Sequence, residues 1–154
     1  MLTISKDQIG FETDTVLFEV EKGEIKKFAQ AIGETNPLYV DEAYAAASKW
    51  GALLAPPTFP TVFRDRQRMS IEDLPGTRLH GSQTYTYNKP IQAGMKIACK
   101  TVYKDLFVKE SKTNRLTFAL FEQTGVDVES GEVVFIGVQT SIFRTRSEQL
   151  EANA

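Results

Sequence analysis

The densest cluster of residues with unusual chemistry covers residues 33–63. It begins with Gly-Glu-Thr-Asn-Pro-Leu-Tyr over residues 33–39 and includes Ala-Pro-Pro-Thr-Phe over residues 55–59. A carboxylate such as that of Glu34 can accept a proton as a general base, although a carboxylate at a helix end is more often simply solvated. Asn36, followed by a proline, is a typical turn residue and also fits a turn that holds an active site.

Outside this cluster, few side chains have the chemistry of a catalytic or metal site. His80 is the sole histidine, and a single histidine is more often structural or exposed than functional. Cys99 is the sole cysteine, so it has no internal disulfide partner, and no Cys/His spacing indicates zinc. We therefore expect neither a metal nor a cofactor.

Length and composition restrict the class of protein. The chain has 154 residues, 42% of them apolar and 25% charged, which is typical of one globular domain over residues 1–154. No apolar run approaches the ~18 residues of a membrane-spanning helix. Eighteen basic and twenty acidic residues are mixed along the chain, which argues against a nucleic-acid partner. The beginning of the chain does not resemble a secretory signal, so we expect a cytoplasmic protein.

Helices are predicted for most of the first half of the chain. A strand is predicted over residues 15–20 and an amphipathic helix over residues 22–32, with Gly33 at its end. Asp41 is suited to cap a second helix over residues 42–50. A third helix is predicted from Pro60 to about residue 69, because proline is tolerated in a first helical turn.

The second half alternates apolar and polar residues with the period of a strand. Four antiparallel strands are expected, covering residues 80–88, the stretch from residue 95 to 104, the stretch around residues 116–120, and residues 133–143. Turn-forming pairs such as Ser130-Gly131 separate them. Helices followed by such a sheet predict an α+β fold.

The motifs of residues 33–63, together with Tyr-Asn-Lys-Pro-Ile-Gln-Ala-Gly over residues 87–94, resemble the MaoC-like, or hydratase 2, group of hot-dog proteins. The N-terminal-type dehydratase domain, as in the non-catalytic subunit of the mycobacterial (3R)-hydroxyacyl-ACP dehydratase, is the most similar type. The resemblance covers most of the chain. It implies a long helix wrapped by a curved antiparallel sheet, and either hydration of enoyl thioesters or dehydration of 3-hydroxyacyl thioesters.

Three positions depart from the catalytic pattern of that group, Gly-Asp-x-Asn-Pro-[Ile/Leu]-His. Glu34 stands at the Asp position and Tyr39 at the His position, and a phenol with a pKa near 10 is a poor substitute for imidazole at pH 7. Catalytic members also use a glycine N–H, within Ala-His-Gly, to polarise the thioester carbonyl. The aligned residue here is Pro57, which has no N–H.

The resemblance therefore implies a subunit that holds an acyl-CoA or acyl-carrier-protein thioester while a catalytic hot-dog partner performs the chemistry. Because single hot dogs pair sheet to sheet, we expect a homodimer or a heterodimer with that partner. Three alternatives stay open. They are a self-sufficient hydratase that uses Glu34 or His80, a thioesterase, and an acyl-binding module without enzymatic activity.

The candidate residues each have a structural interpretation as well. Tyr39 fits either an acyl tunnel or the core, and the apolar residues Phe59 and Phe63 are more often core than ligand site. Arginines at positions 64, 66 and 68 fit either a phosphate contact or a solvated helix face. The candidate catalytic positions are Glu34, Tyr39 and His80, and the candidate substrate-binding residues are Asn36, Pro57, Thr58, Phe59 and Phe63.

Overall fold

A curled five-stranded sheet dominates the computed structural model, which describes residues 5–64 and 76–146. Its strands are β1 (Val16–Glu19), β2 (Thr77–Tyr87), β3 (Lys96–Glu110), β4 (Asn114–Asp127) and β5 (Val133–Arg146). They are arranged in the order β1-β3-β4-β5-β2, and every neighbouring pair is antiparallel. The predicted α+β class and the four consecutive antiparallel strands are confirmed.

Among the described residues, three short α-helices precede most of the sheet: α1 (Lys22–Ala31), α2 (Pro37–Val40) and α3 (Glu42–Ala47). Helix α1 buries Ile25 and Ala29, as its 3.6-residue period predicts. Gly33 follows it at φ 71°, a left-handed conformation that glycine adopts without a steric penalty. No helix among the described residues is long and apolar enough to cross a bilayer.

The second predicted helix is shorter than expected. It was predicted over residues 42–50 but ends at Ala47, because Ser48 is extended (φ −77°, ψ 169°) and its hydroxyl donates to the Ala45 carbonyl at 2.6 Å. The cap at Asp41 is confirmed, since its carboxylate accepts from the Tyr44 amide at 3.0 Å.

The predicted helix from Pro60 to residue 69 is wrong at Phe63 and Arg64. Phe59–Val62 forms a 3₁₀ helix, and Phe63 then adopts φ −77°, ψ 63° while the Arg64 amide donates to the Val62 carbonyl at 2.8 Å. This geometry is an inverse γ-turn. It holds the ring of Phe63 against that of Phe135, at 6.0 Å between centroids. Residues 65–69 of the prediction lie outside the described residues.

The concave face of the sheet carries two apolar clusters. One contains Phe59, Phe63 and Phe135, packed under α1 and the 3₁₀ helix. The other is centred on Tyr103 and Phe121, whose rings stack at 5.2 Å between centroids. The space between the two clusters is where a ligand cavity forms.

Candidate functional site

The turn at residues 33–39 is built by its own side chains. One oxygen of the Glu34 carboxylate accepts from the amides of Thr35 and Asn36, both at 2.9 Å. The Asn36 side chain in turn accepts from the Leu38 amide at 3.0 Å and caps α2. Two side chains at the positions of the catalytic motif therefore hold the shape of this turn.

The proline-rich segment, residues 53–60, is hydrogen-bonded to this turn and to the stretch after β2. The Leu54 amide donates to the Leu38 carbonyl at 2.9 Å, and the Ala55 amide to the Ile91 carbonyl at 2.8 Å. The Tyr87 hydroxyl donates to the Pro57 carbonyl at 2.6 Å. The backbone that would polarise a thioester in a catalytic member is thus fixed by side-chain and backbone bonds, and at Pro57 it has no N–H to offer.

Phenol groups surround this segment. Burial raises the pKa of the Tyr87 hydroxyl above its ordinary value, and the nearby hydroxyls of Tyr85 and Tyr39 raise it further. Tyr39 is half-buried and lies close enough to Tyr87 to influence its titration. The Tyr87 hydroxyl therefore stays protonated and can donate a hydrogen bond at neutral pH, but it cannot serve as a base.

His80 lies elsewhere on β2. It is exposed, and its Nδ1 is 3.5 Å from the Gln139 amide nitrogen. At roughly 3.3 Å per residue, about 20 Å of strand separates it from Tyr87. The structure therefore does not bring the single imidazole of the chain to the turn that carries Glu34 and Tyr39.

A cavity of about 290 Å³ opens on the concave face of the sheet, between the two apolar clusters. Phe63 and Arg64 border it on the side of the 3₁₀ helix, and Tyr85 lines it from β2. Of the predicted substrate-binding residues, Phe63 lines this cavity, whereas Phe59 is fully buried in the core with its ring edge-on to Phe63.

The other predicted substrate-binding residues lie along the surface of the proline-rich segment. Pro57 and Thr58 are exposed, and Thr58 precedes the 3₁₀ helix without capping it through its side chain. Asn36 is exposed as well. These three residues lie near the motif turn rather than in the cavity.

Sequence analysis missed the polar residues that line the cavity. Gln83, Gln123 and Gln139 point into it from three different strands. The strand period held a signal for one of them, because Gln123 shares a strand face with the buried Phe121 two positions away. Within residues 5–64 and 76–146, no cluster of three or more His, Cys, Asp or Glu side chains is arranged to hold a metal ion.

Sequence comparisons give two kinds of match. A family model described as "FAS1-like, dehydratase domain region" matches residues 7–136. A UPF0336 protein of Thermobifida fusca is 37% identical over 113 residues, which are 68% of this chain and 74% of that protein. A second UPF0336 protein, from Streptomyces griseus, is 30% identical over 142 residues, or 87% of this chain and 90% of that protein.

Solved structures with the same fold include subunits of heteromeric complexes. The HadBC (3R-hydroxyacyl-ACP dehydratase) complex of Mycobacterium tuberculosis aligns with TM-score 0.71 and 20% identity, over 89% of this chain and 98% of that one. The ChsH1-ChsH2 complex of the same organism aligns with TM-score 0.69 and 19% identity, over 86% and 83%. An (R)-hydratase of A. caviae, involved in PHA biosynthesis, aligns with TM-score 0.66 and 15% identity, over 86% and 94%.

Proposed function

Because the chain belongs to the FAS1-like dehydratase domain family, whose MaoC-like members have the hot-dog fold, we propose that it is the acyl-thioester-holding subunit of a two-subunit dehydratase. The reaction is dehydration of an (R)-3-hydroxyacyl thioester, or hydration of the enoyl thioester in the reverse direction. A catalytic hot-dog partner supplies the acid and the base.

The state of Glu34 is the observation that carries this proposal. Its carboxylate oxygen accepts two backbone N–H groups of its own turn, at 2.9 Å each. This oxygen is therefore already occupied by two donors of its own turn, whereas a general base must be free to accept the proton that it removes. Tyr39 stands where the catalytic pattern has a histidine, so the turn carries no imidazole for general acid-base catalysis.

The proline-rich segment also supports a subunit that binds the thioester and leaves catalysis to its partner. Pro57 offers no N–H to a developing oxyanion, and its carbonyl is already occupied by the Tyr87 hydroxyl at 2.6 Å. The hydroxyl of Tyr39, which lies near Tyr87, and the amide of Thr58 remain as donors to a thioester carbonyl. Without an acid and a base beside them, these donors contribute to holding the thioester rather than to its conversion.

The sheet offers an edge for the partner. Within the described part of the chain, strand β2 pairs with β5 on one side and is the last strand of the sheet on the other, so it offers an edge to a further strand. Several relatives of known structure are subunits of complexes, HadBC and ChsH1-ChsH2 among them. We therefore include pairing through β2, in a heterodimer or in a homodimer, and action in the cytoplasm, in the proposal.

The first test is crotonyl-CoA hydration, followed by the loss of enoyl-thioester absorbance. The purified chain is assayed alone and then titrated into a candidate catalytic hot-dog subunit that carries Gly-Asp-x-Asn-Pro-Ile-His. We expect no turnover by the chain alone and turnover on mixing that saturates at one chain per catalytic subunit. Glu34→Gln should leave the rate of the mixture within about twofold, because this carboxylate performs no proton transfer in our scheme.

Three results would overturn the proposal. Turnover by the chain alone that disappears in Glu34→Gln would show a self-sufficient hydratase. Binding of the thioester without activation of any catalytic subunit would show an acyl-binding module. Release of free CoA from an acyl-CoA by the chain alone would instead reveal a thioesterase.

A further inference from the structure

The cavity on the concave face is unexpectedly polar for a pocket expected to hold a hydrocarbon chain. Two rows of residues that are register partners run across the inner face of the sheet. One row is Thr101, Gln123, Gly137 and Tyr85, and the next is Tyr103, Phe121, Gln139 and Gln83. Three glutamines therefore face the cavity, whereas apolar side chains would be the better contacts for an aliphatic chain.

In two of these glutamines the side-chain amide N–H groups make only long hydrogen bonds. The Gln83 amide nitrogen is 3.4 Å from the Val138 carbonyl, and that of Gln139 is 3.5 Å from both His80 Nδ1 and the Ser141 hydroxyl. These distances exceed those of well-formed hydrogen bonds. Gln123 differs, because it donates to the Phe63 carbonyl at 2.7 Å and so fixes the backbone next to Arg64.

Among the described residues that line the cavity, the charged ones are two arginines. Arg64 and Arg78 both line it, and the described residues of its lining include no aspartate or glutamate. Both arginines are exposed, so they lie at the opening of the cavity. Arg78 is oriented inward by a 3.2 Å hydrogen bond to the Ser141 hydroxyl and by the Phe143 ring, 5.7 Å from its guanidinium carbon.

The two guanidinium groups are close enough to repel each other. Partial burial lowers the pKa of Arg78, and the positive charge of Arg64 lowers it further. The same Arg64 charge acts on the Tyr85 hydroxyl, which also lines the cavity. An anion between the two arginines would relieve this repulsion and would accept hydrogen bonds from both planar guanidinium groups.

We infer that the cavity binds the carboxylate of an acyl group, so that the thioester this subunit holds carries a second acid group at the far end of its acyl chain. This inference rests on the proposed function. Arg64 and Arg78 bind the carboxylate, and Gln83 and Gln139 donate to it or to an oxygen substituent of the chain. We place the acyl chain along the inner face of β2, where Tyr87, Tyr85 and Gln83 follow one another towards Arg78; of these three, Tyr85 and Gln83 line the cavity.

The length of this path indicates the size of the acyl group. Tyr87 and Gln83 are separated by about 13 Å of strand at roughly 3.3 Å per residue. Since the side chains of Gln83 and of the arginines reach back along the path, an acyl chain of about six to ten carbons spans it. A short acid such as succinyl would leave its carboxylate among the rings of Tyr85 and Tyr87, short of either arginine.

The test compares pairs of thioesters that differ only in the terminal group. Binding of adipyl-CoA and hexanoyl-CoA, suberyl-CoA and octanoyl-CoA, and sebacyl-CoA and decanoyl-CoA to the full chain is measured by calorimetry. We expect the dicarboxylic member of at least one pair to bind about fivefold or more tightly than its partner, as charge-assisted hydrogen bonds allow. Arg78→Gln should abolish this preference, and Arg78→Lys should retain part of it.

Arg144→Gln is the matched control. Arg144 is an exposed arginine on the same sheet, next to the register partner of Arg78, and it does not line the cavity. Its loss should leave the preference unchanged. Arg64→Gln, which alters a loop rather than a strand, gives a second variant should Arg78→Gln fold poorly.

Three outcomes would overturn the inference, and they are distinguishable. Equal or tighter binding of the monocarboxylic member in every pair would refute the carboxylate site while leaving acyl binding intact. An equal loss of affinity for both members of a pair in Arg78→Gln would show that the arginine contacts the phosphates of CoA instead. Absence of binding by all six thioesters would refute the proposed acyl-holding function itself.

Discussion

Gly125 should be intolerant of any side chain, although its backbone makes no demand that only glycine can meet. It lies near the C-terminal end of β4, paired with Cys99 on one side and Phe135 on the other. A Cβ atom at this position would lie 2.1 Å from one ring carbon of Phe135 and 2.7 Å from two others. Phe135 is fully buried, and its ring is held by that of Phe63 at 6.0 Å and that of Tyr85 at 6.0 Å.

The expected cost of Gly125→Ala follows from these contacts. Overpacking of a dense core costs typically about 1–3 kcal/mol, and this clash lies at its upper end because the ring has no free space to enter. Replacing glycine also reduces the conformational entropy of the unfolded chain, which stabilises the fold by about 0.4–1 kcal/mol. We therefore expect a net loss of about 2 kcal/mol in the free energy of unfolding, or a Tm lower by about 4–8 °C for a chain of this size.

Urea denaturation at one fixed protein concentration measures this loss, with Gly23→Ala as the control. Gly23 lies in α1, where a Cβ would have no neighbour within 4 Å, and alanine is expected to stabilise the helix there by up to about 1 kcal/mol. A double-mutant cycle with Phe135→Leu isolates the clash: the leucine should recover at least about 1 kcal/mol in the Gly125→Ala background. A cost below about 0.5 kcal/mol, or strict additivity in the cycle, would refute the packing argument.

Three further predictions concern titration and local bonding. The Lys89 ammonium, 2.7 Å away, lowers the pKa of the Asp127 carboxyl. This carboxyl therefore stabilises the fold above its unfolded pKa of about 3.9, and the contribution is lost as pH falls through the lower folded value. Asp127→Asn should make the free energy of unfolding fall less steeply with acidification, and an unchanged slope would contradict this. Burial raises the pKa of the Cys99 thiol to about 12, so iodoacetamide at pH 8 should label it only after unfolding, and labelling at the rate of a free thiol would show the assignment wrong. Tyr87→Phe removes the hydrogen bond to Pro57 and should cost about 1 kcal/mol in urea denaturation, whereas no change would mean that water replaces it fully.

The sequence was sufficient to predict those elements whose stability is local. The stripe of α1, the left-handed Gly33 and the cap at Asp41 depend on residues within one or two helical turns, and the structure has all three. The alternation along β3 likewise predicts which side is buried, with Ile97 and Cys99 inside. Local periodicity carries this information because each residue contacts neighbours at a fixed spacing in the chain.

Features that depend on distant contacts were not predictable. Leu116, Phe118 and Leu120 mark β4 correctly as a strand, yet its buried side is formed by Ala119 and Phe121, because both faces of this strand carry apolar residues. The inverse γ-turn at Phe63 exists because its ring packs on strands far away in sequence. The cavity also depends on distant contacts, since each of the five strands contributes two or three of its lining residues.

Some residues of the turn at 33–39 and just after it stabilise local structure, which is separate from any role in catalysis. The Asn36 side chain caps α2 and that of Asp41 caps α3, so these residues would be needed in the turn whether or not the site is catalytic. In our proposal, acid-base chemistry would instead need positions 34 and 39, and oxyanion binding position 57. These three positions carry Glu, Tyr and Pro while the capping residues are intact, so we propose that the turn is retained for its shape and not for proton transfer. A subunit that must fit the acyl thioester but leaves the chemistry to a partner needs that geometry alone.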